Sequence, residues 1–175
     1  LIRKKFKPQP STPAEVRDCG KELSGAELSK VVFLSKTLAF GRVSVQSATT
    51  LSFNVSNELE TTVLFACAFE DEELHQSTPS SQVVPPGSVA GFDVIFSSRT
   101  EQNYTGSVVC TINGQHHLKF HITAEVVPIM LSVVPEELTL QLRDDEVETY
   151  ASQAMTIENE GNAEASFQWQ PSATG

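Results

Sequence analysis

Three histidines, His116, His117 and His121, fall within six residues of one another, and a zinc ion is the chemistry such a group would suit. On a strand rising ~3.3 Å per residue, however, His117 and His121 stand ~13 Å apart with Lys119 between them on the same face, too far to share one ion. They are expected as solvated or interface-edge histidines, and no metal site is expected. Nucleophilic catalysis needs a Ser or Cys beside a base and a third, orienting group. Cys67 and Cys110 instead fall in the apolar register of their segments, where each serves as a small hydrophobe. The acidic runs Glu70-Asp71-Glu72-Glu73 and Asp144-Asp145-Glu146 lack the Gly-centred spacing of a calcium loop and read as solvent-facing turns. No catalytic constellation and no cofactor motif emerges. What remains is the basic arm of Arg3, Lys4, Lys5 and Lys7, with Phe6 interleaved, which suits an acidic partner or a solvated linker.

The elements that would carry these residues are strands. From residue 31 the sequence alternates with period two, the mark of a strand with one buried face. Leu51, Phe53 and Val55 form one inward set, and Val63, Phe65, Cys67 and Phe69 a second. Phe92, Val94 and Phe96 form a third, and Leu118, Phe120, Ile122 and Ala124 the last, after a strand over 104–112. Val84-Pro85-Pro86-Gly87 stops the chain and redirects it. Asn113-Gly114 predicts a type I′ hairpin, because both central positions need φ > 0 and Asn and Gly tolerate it. About seven short strands with turn signals every ten residues predict an all-β, immunoglobulin-like sandwich of roughly 100 residues.

Residues 1–30 differ in kind. Pro8, Pro10 and Pro13 precede a mixed-charge stretch from Ala14 that suits a short helix, so this part reads as a linker or short helical arm. It holds seven Lys/Arg against four Asp/Glu, whereas the rest holds five against eighteen. A body that acidic repels phosphate backbones, which argues against nucleic-acid binding. No apolar run approaches the ~20 residues of a membrane-spanning helix. Three cysteines in a chain with ample core residues suit a reduced compartment. The first residues resemble neither a signal peptide nor a natural start, so the sequence is expected to be an internal piece of a larger chain.

Sliding the sequence by 102 positions without gaps places Phe53-Asn54-Val55-Ser56-Asn57-Glu58 on Met155-Thr156-Ile157-Glu158-Asn159-Glu160. Val31 then falls on Val133, Leu38 on Leu140, Phe40 on Leu142, Phe65 on Phe167 and Cys67 on Trp169. Strand patterning fixes parity but not identity, so the shared Asn-Glu pair predicts a tandem duplication. One complete sandwich over 31–128 and the opening strands of a second over 129–175 are expected, abutted closely enough to make a semi-rigid rod.

These features resemble the ASH (ASPM, SPD-2, Hydin) domain, a relative of the PapD and major-sperm-protein sandwiches. The resemblance lies in Leu38-Ala39-Phe40-Gly41, Leu51-Ser52-Phe53-Asn54-Val55-Ser56-Asn57, Val84-Pro85-Pro86-Gly87-Ser88 and Tyr104-Thr105-Gly106, and again in Ile157-Glu158-Asn159-Glu160-Gly161. Tyr104 also sits where such sandwiches place a tyrosine corner, whose hydroxyl bonds a nearby backbone group. Tandem copies at this spacing are most similar to those of Hydin-like ciliary proteins of the axonemal central apparatus. The resemblance implies a non-enzymatic cytoskeletal scaffold whose partners are other axonemal or scaffold proteins and tubulin, with no nucleic acid and no membrane. Two alternatives stand beside it. A major-sperm-protein-like adaptor would capture short acidic peptides but needs a basic face. An extracellular adhesion sandwich is suggested by the sequons Asn54-Val55-Ser56 and Asn103-Tyr104-Thr105.

Overall fold

In the computed structural model, which describes residues 5–76, 79–141 and 150–170, the alternating segments become the strands of two facing sheets. Two short helices come first, α1 (Pro13–Cys19) and α2 (Gly25–Leu28). The strands follow as β1 (Val31–Val32), β2 (Thr37–Ser44), β3 (Ala48–Asn57), β4 (Val63–Ala68), β5 (Leu74–Gln76) and β6 (Ser81–Val84). After them come β7 (Val89–Ser97), β8 (Gln102–Ile112), β9 (His116–Val127), β10 (Leu131–Val134) and β11 (Thr156–Asn159). One sheet has the order β1-β3-β7-β5, the other β2-β9-β8-β4-β6, and β10-β11 forms a separate two-stranded ribbon. All pairs are antiparallel except β2 with β9, which run parallel across a shift in register between Ala39 and Arg42. This is an all-β, immunoglobulin-like sandwich, as the alternation predicts.

The inward sets meet between the sheets. Phe53 stacks on Phe120 with ring centroids 4.3 Å apart and on Phe92 at 5.4 Å, while Phe65 packs against Phe92 at 5.1 Å. Phe65, Phe96 and Phe120 are completely buried. Burial of each such side chain contributes about 1.5–3 kcal/mol before conformational entropy is subtracted. The Asn113-Gly114 turn forms as expected: both residues have positive φ, 53° and 67°, and the strands they join pair along their whole length. Two short strands, β5 and β6, lie between the acidic turn and Pro85, where the alternation marks no inward set.

Residues 5–30 are not a free linker. The short helix expected after Pro13 is present, but the segment is bonded to the sandwich on both sides of that helix. Phe6 N–H donates to Gln82 Oε1 at 2.9 Å, Val83 N–H to the Lys7 carbonyl at 2.8 Å, and Ser81 Oγ to the Pro8 carbonyl at 2.7 Å. Asn113 Nδ2 donates to the carbonyls of Asp18 and Lys21, so the hairpin turn also anchors the arm. Leu23 joins the main core, whereas Cys19 and Val83 are buried outside it, on the side of the five-stranded sheet where α1 packs against β4. Lys7 thereby covers the edge of β6, which would otherwise present unpaired backbone groups.

Both helices carry complete capping boxes, Thr12 with Glu15 and Ser24 with Glu27. The Lys7 ammonium, then the Ser11 N–H, hold the Glu15 carboxyl down at about 2; Lys21, then Ser24, do the same for Glu27. A carboxyl whose folded value lies below its ordinary 4.5 stabilises the fold above that value and ceases to as pH falls toward 2. Amide exchange in α1 and α2 is therefore expected to be constant from pH 7 to about 4.5, after correction for intrinsic rates, and to quicken below it while β8 and β9 stay protected.

Candidate functional site

The site with the most specific geometry is the junction between the sandwich and the β10-β11 ribbon. Val127 ends β9 and Pro128 leads within a few residues into β10, so the ribbon begins at the end of the sandwich without a spacer. The turn after β11 then reaches back. Asn162 Oδ1 accepts from the Ser44 N–H at 2.7 Å and from Ser47 Oγ at 3.3 Å, and the Asn162 N–H donates to Ser44 Oγ at 3.3 Å. Ser44 and Ser47 are buried where β2 turns into β3, a turn that places Gln46 at positive φ. Gly161 packs so closely that a Cβ there would lie 2.6 Å from Ser44 Oγ. Beside these contacts runs a cleft of about 410 Å³ lined by Arg42, Val127, Pro128, Met130 and Glu160.

The ribbon's turn repeats one in the sandwich. Asn57 Oδ1 accepts from the Leu59 N–H at 3.0 Å and its Nδ2 donates to the Thr61 carbonyl at 2.9 Å. Asn159 accepts from the Gly161 N–H at 3.0 Å and donates to the Ala163 carbonyl at 2.7 Å. The next backbone bond matches as well, Glu58 N–H to the Lys30 carbonyl and Glu160 N–H to the Met130 carbonyl. Strand pairing amends the ungapped register in one respect. Val31 lies opposite Asn57, but Leu131, not Val133, lies opposite Asn159. A slip of two residues leaves every side chain on its face, which is why parity alone did not reveal it. Phe167 and Trp169, expected to continue as a strand, lie outside any strand and are more than half exposed, their rings edge to face at 5.9 Å. Leu140 is likewise exposed and outside a strand, and Leu142 lies outside the described residues.

The basic arm has a different disposition from the one its composition suggests. Lys5 pairs with Asp93 on β7 at 3.7 Å and Lys7 with Glu15 at 2.6 Å, so both are engaged within the chain, while Arg3 and Lys4 lie outside the described residues. His116 is not simply solvated: its Nε2 accepts from the Leu23 N–H at 3.0 Å and so holds the arm to β9. His117 and His121 point outward as expected. Replacing His116 with alanine should leave the Leu23 N–H without this partner and raise the rate of limited proteolysis between α1 and α2 severalfold, with little change in the sandwich itself.

The tyrosine corner also differs in its partner. Tyr104 donates to the Asp71 carboxylate at 2.5 Å rather than to backbone. Burial first, then this bond, raises the Tyr104 hydroxyl above the ordinary tyrosine range. The acidic turn therefore has a packing role that its charge alone does not suggest.

Comparison with known proteins follows the same lines. No protein-family model matches the chain. It is 31% identical over 174 residues to human cilia- and flagella-associated protein 47 and 27% identical over 176 residues to the mouse protein of that name, in each case across 99% of this chain. It spans only 6% and 5% of those relatives' lengths. Among solved structures, the ASH/PapD-like domain 7 of human CEP192 matches 73% of this chain and 96% of that one, at a TM-score of 0.48 and 15% identity. The Caenorhabditis elegans major-sperm-protein family member WR4 matches 56% of this chain at a TM-score of 0.41 and 9% identity. The chain is thus an immunoglobulin-like sandwich with a docked ribbon, similar along nearly its whole length to a small segment of cilia- and flagella-associated protein 47.

Proposed function

We propose that the chain is a non-enzymatic structural module of a tandem-repeat ciliary scaffold, one ASH-type copy over 31–128 latched to the opening strands of a second over 129–175. The Asn162 contact with Ser44 and Ser47 carries this reading, because it fixes the second copy against the first instead of leaving a hinge. The shared Asn57 and Asn159 turns support the duplication, since identical side-chain bonds at the same spacing are not required by strand alternation. The similarity to cilia- and flagella-associated protein 47 supports the compartment. In this reading the modules form Hydin-like rows in the axonemal central apparatus, and their surfaces meet other axonemal proteins and tubulin. With Lys5 and Lys7 already paired, the junction and the sheet faces are better placed than those two lysines to make such contacts.

Tagging the full-length protein in ciliated cells tests the reading: it predicts signal along the axoneme that survives detergent extraction of the membrane. A diffuse cytosolic signal, fully removed by the detergent, would overturn it. Cosedimentation of the purified chain with microtubules separates the tubulin contact from contacts with other scaffold proteins.

A further inference from the structure

Cys67 on β4 and Cys110 on β8 lie directly opposite each other in the centre of the five-stranded sheet. Both are free and buried, and their sulfurs are 2.9 Å apart, with the Cys110 thiol donating to Cys67 Sγ. Cysteines paired across neighbouring antiparallel strands have the Cα separation that a disulfide requires, about 4.4–6.8 Å, without backbone movement. A surface cleft bounded by Phe69, Leu74, His75 and Gln76 reaches Cys67, which gives a small oxidant an approach from the β5 side. Cys19 lies elsewhere, at the end of α1 on the arm and away from this cross-strand pair, so it stands as an internal control.

We propose that Cys67 and Cys110 are an oxidative modification site, a dithiol that closes to a cross-strand disulfide and locks β4 to β8. The co-reactant is a low-molecular-weight disulfide such as oxidised glutathione. Its S–S bond breaks as the Cys67–Cys110 S–S bond forms, the two cysteines lose two electrons and two protons, and the co-reactant takes them up as two thiols. The link would tie together β4 and β8, which Asn113 already bridges beyond the end of β8: its Oδ1 accepts from the Leu64 N–H on β4 while its Nδ2 holds the arm. It closes a loop of some forty residues, which constrains the unfolded chain more than the folded one.

The whole chain, equilibrated with oxidised glutathione and then alkylated under denaturing conditions, tests this by intact mass, peptide mapping and Tm. The expected product is two hydrogens lighter, carries one alkyl group on Cys19, yields a joined Cys67–Cys110 peptide and melts about 5 °C or more higher until a dithiol reductant is added. Three alkyl groups, a glutathione adduct retained on Cys67, or a bridge involving Cys19 would overturn the proposal. Cys110→Ser should abolish the rise in Tm, and its persistence in that variant would also overturn it.

Discussion

Alanine at position 106 is expected to cost the sandwich about 3 kcal/mol, because a Cβ there would fall on the Tyr104 hydroxyl, 2.5 Å from Asp71 Oδ2 and 2.6 Å from Tyr104 Cζ. Gly106 sits on β8 two residues beyond Tyr104, and the tyrosine ring folds back over it to reach Asp71. Relief of the clash would pull the ring away from Phe96, whose centroid is 5.0 Å off, and leave the carboxylate without its donor. Equilibrium urea unfolding should show a lower midpoint with an unchanged slope. The same bond gives the chain an alkaline limit. Since the folded Tyr104 hydroxyl is raised above its ordinary 10.0, its contribution is intact below about pH 10 and is lost as pH rises beyond that value. In Gly106→Ala the alkaline loss should begin with the bond already broken and be correspondingly smaller.

Phe120→Ala carries the largest expected effect, about 4 kcal/mol. The ring is completely buried, stacks on Phe53 at 4.3 Å and meets Phe33 edge to face at 5.6 Å, so its removal leaves a cavity between rings from both sheets and the segment after β1. Against a typical domain stability of about 5–15 kcal/mol, this is a large fraction. Phe120→Leu should recover more than half of the loss, because it refills much of the same volume; thermal unfolding of the two variants side by side checks this. Equal losses in both variants would mean that the aromatic contacts, not the filled volume, dominate at this position.

The sandwich was legible in the sequence because its signal is local. Alternation places Phe53, Phe65, Phe92 and Phe120 inward whatever the strands pair with, and Asn113-Gly114 names its own turn. The arm was not, because the few apolar residues it packs down, Phe6, Cys19, Leu23 and Leu28, are scattered among prolines and charges with no period. The signal that was available lay in the two capping boxes, Thr12-x-x-Glu15 and Ser24-x-x-Glu27, which mark helices too short to stand without a surface beneath them. The role of His116 depends on where the arm lies and had no sequence signature. The junction was half legible. Comparing positions 57 and 159 finds the repeated turn, but that Asn162 reaches Ser44 and Ser47 follows only from how the ribbon sits on the sandwich.

Backbone ¹⁵N relaxation of the whole chain reads whether the ribbon and the sandwich move as one body. The amides of Ile157, Glu160, Gly161 and Asn162 are expected to show order parameters near those of β8 and β9, about 0.85, and to fall in Asn162→Ala while the sandwich stays unchanged. Order parameters below about 0.6 for these amides in the unaltered chain would contradict the account, since the ribbon would then move freely of the sandwich.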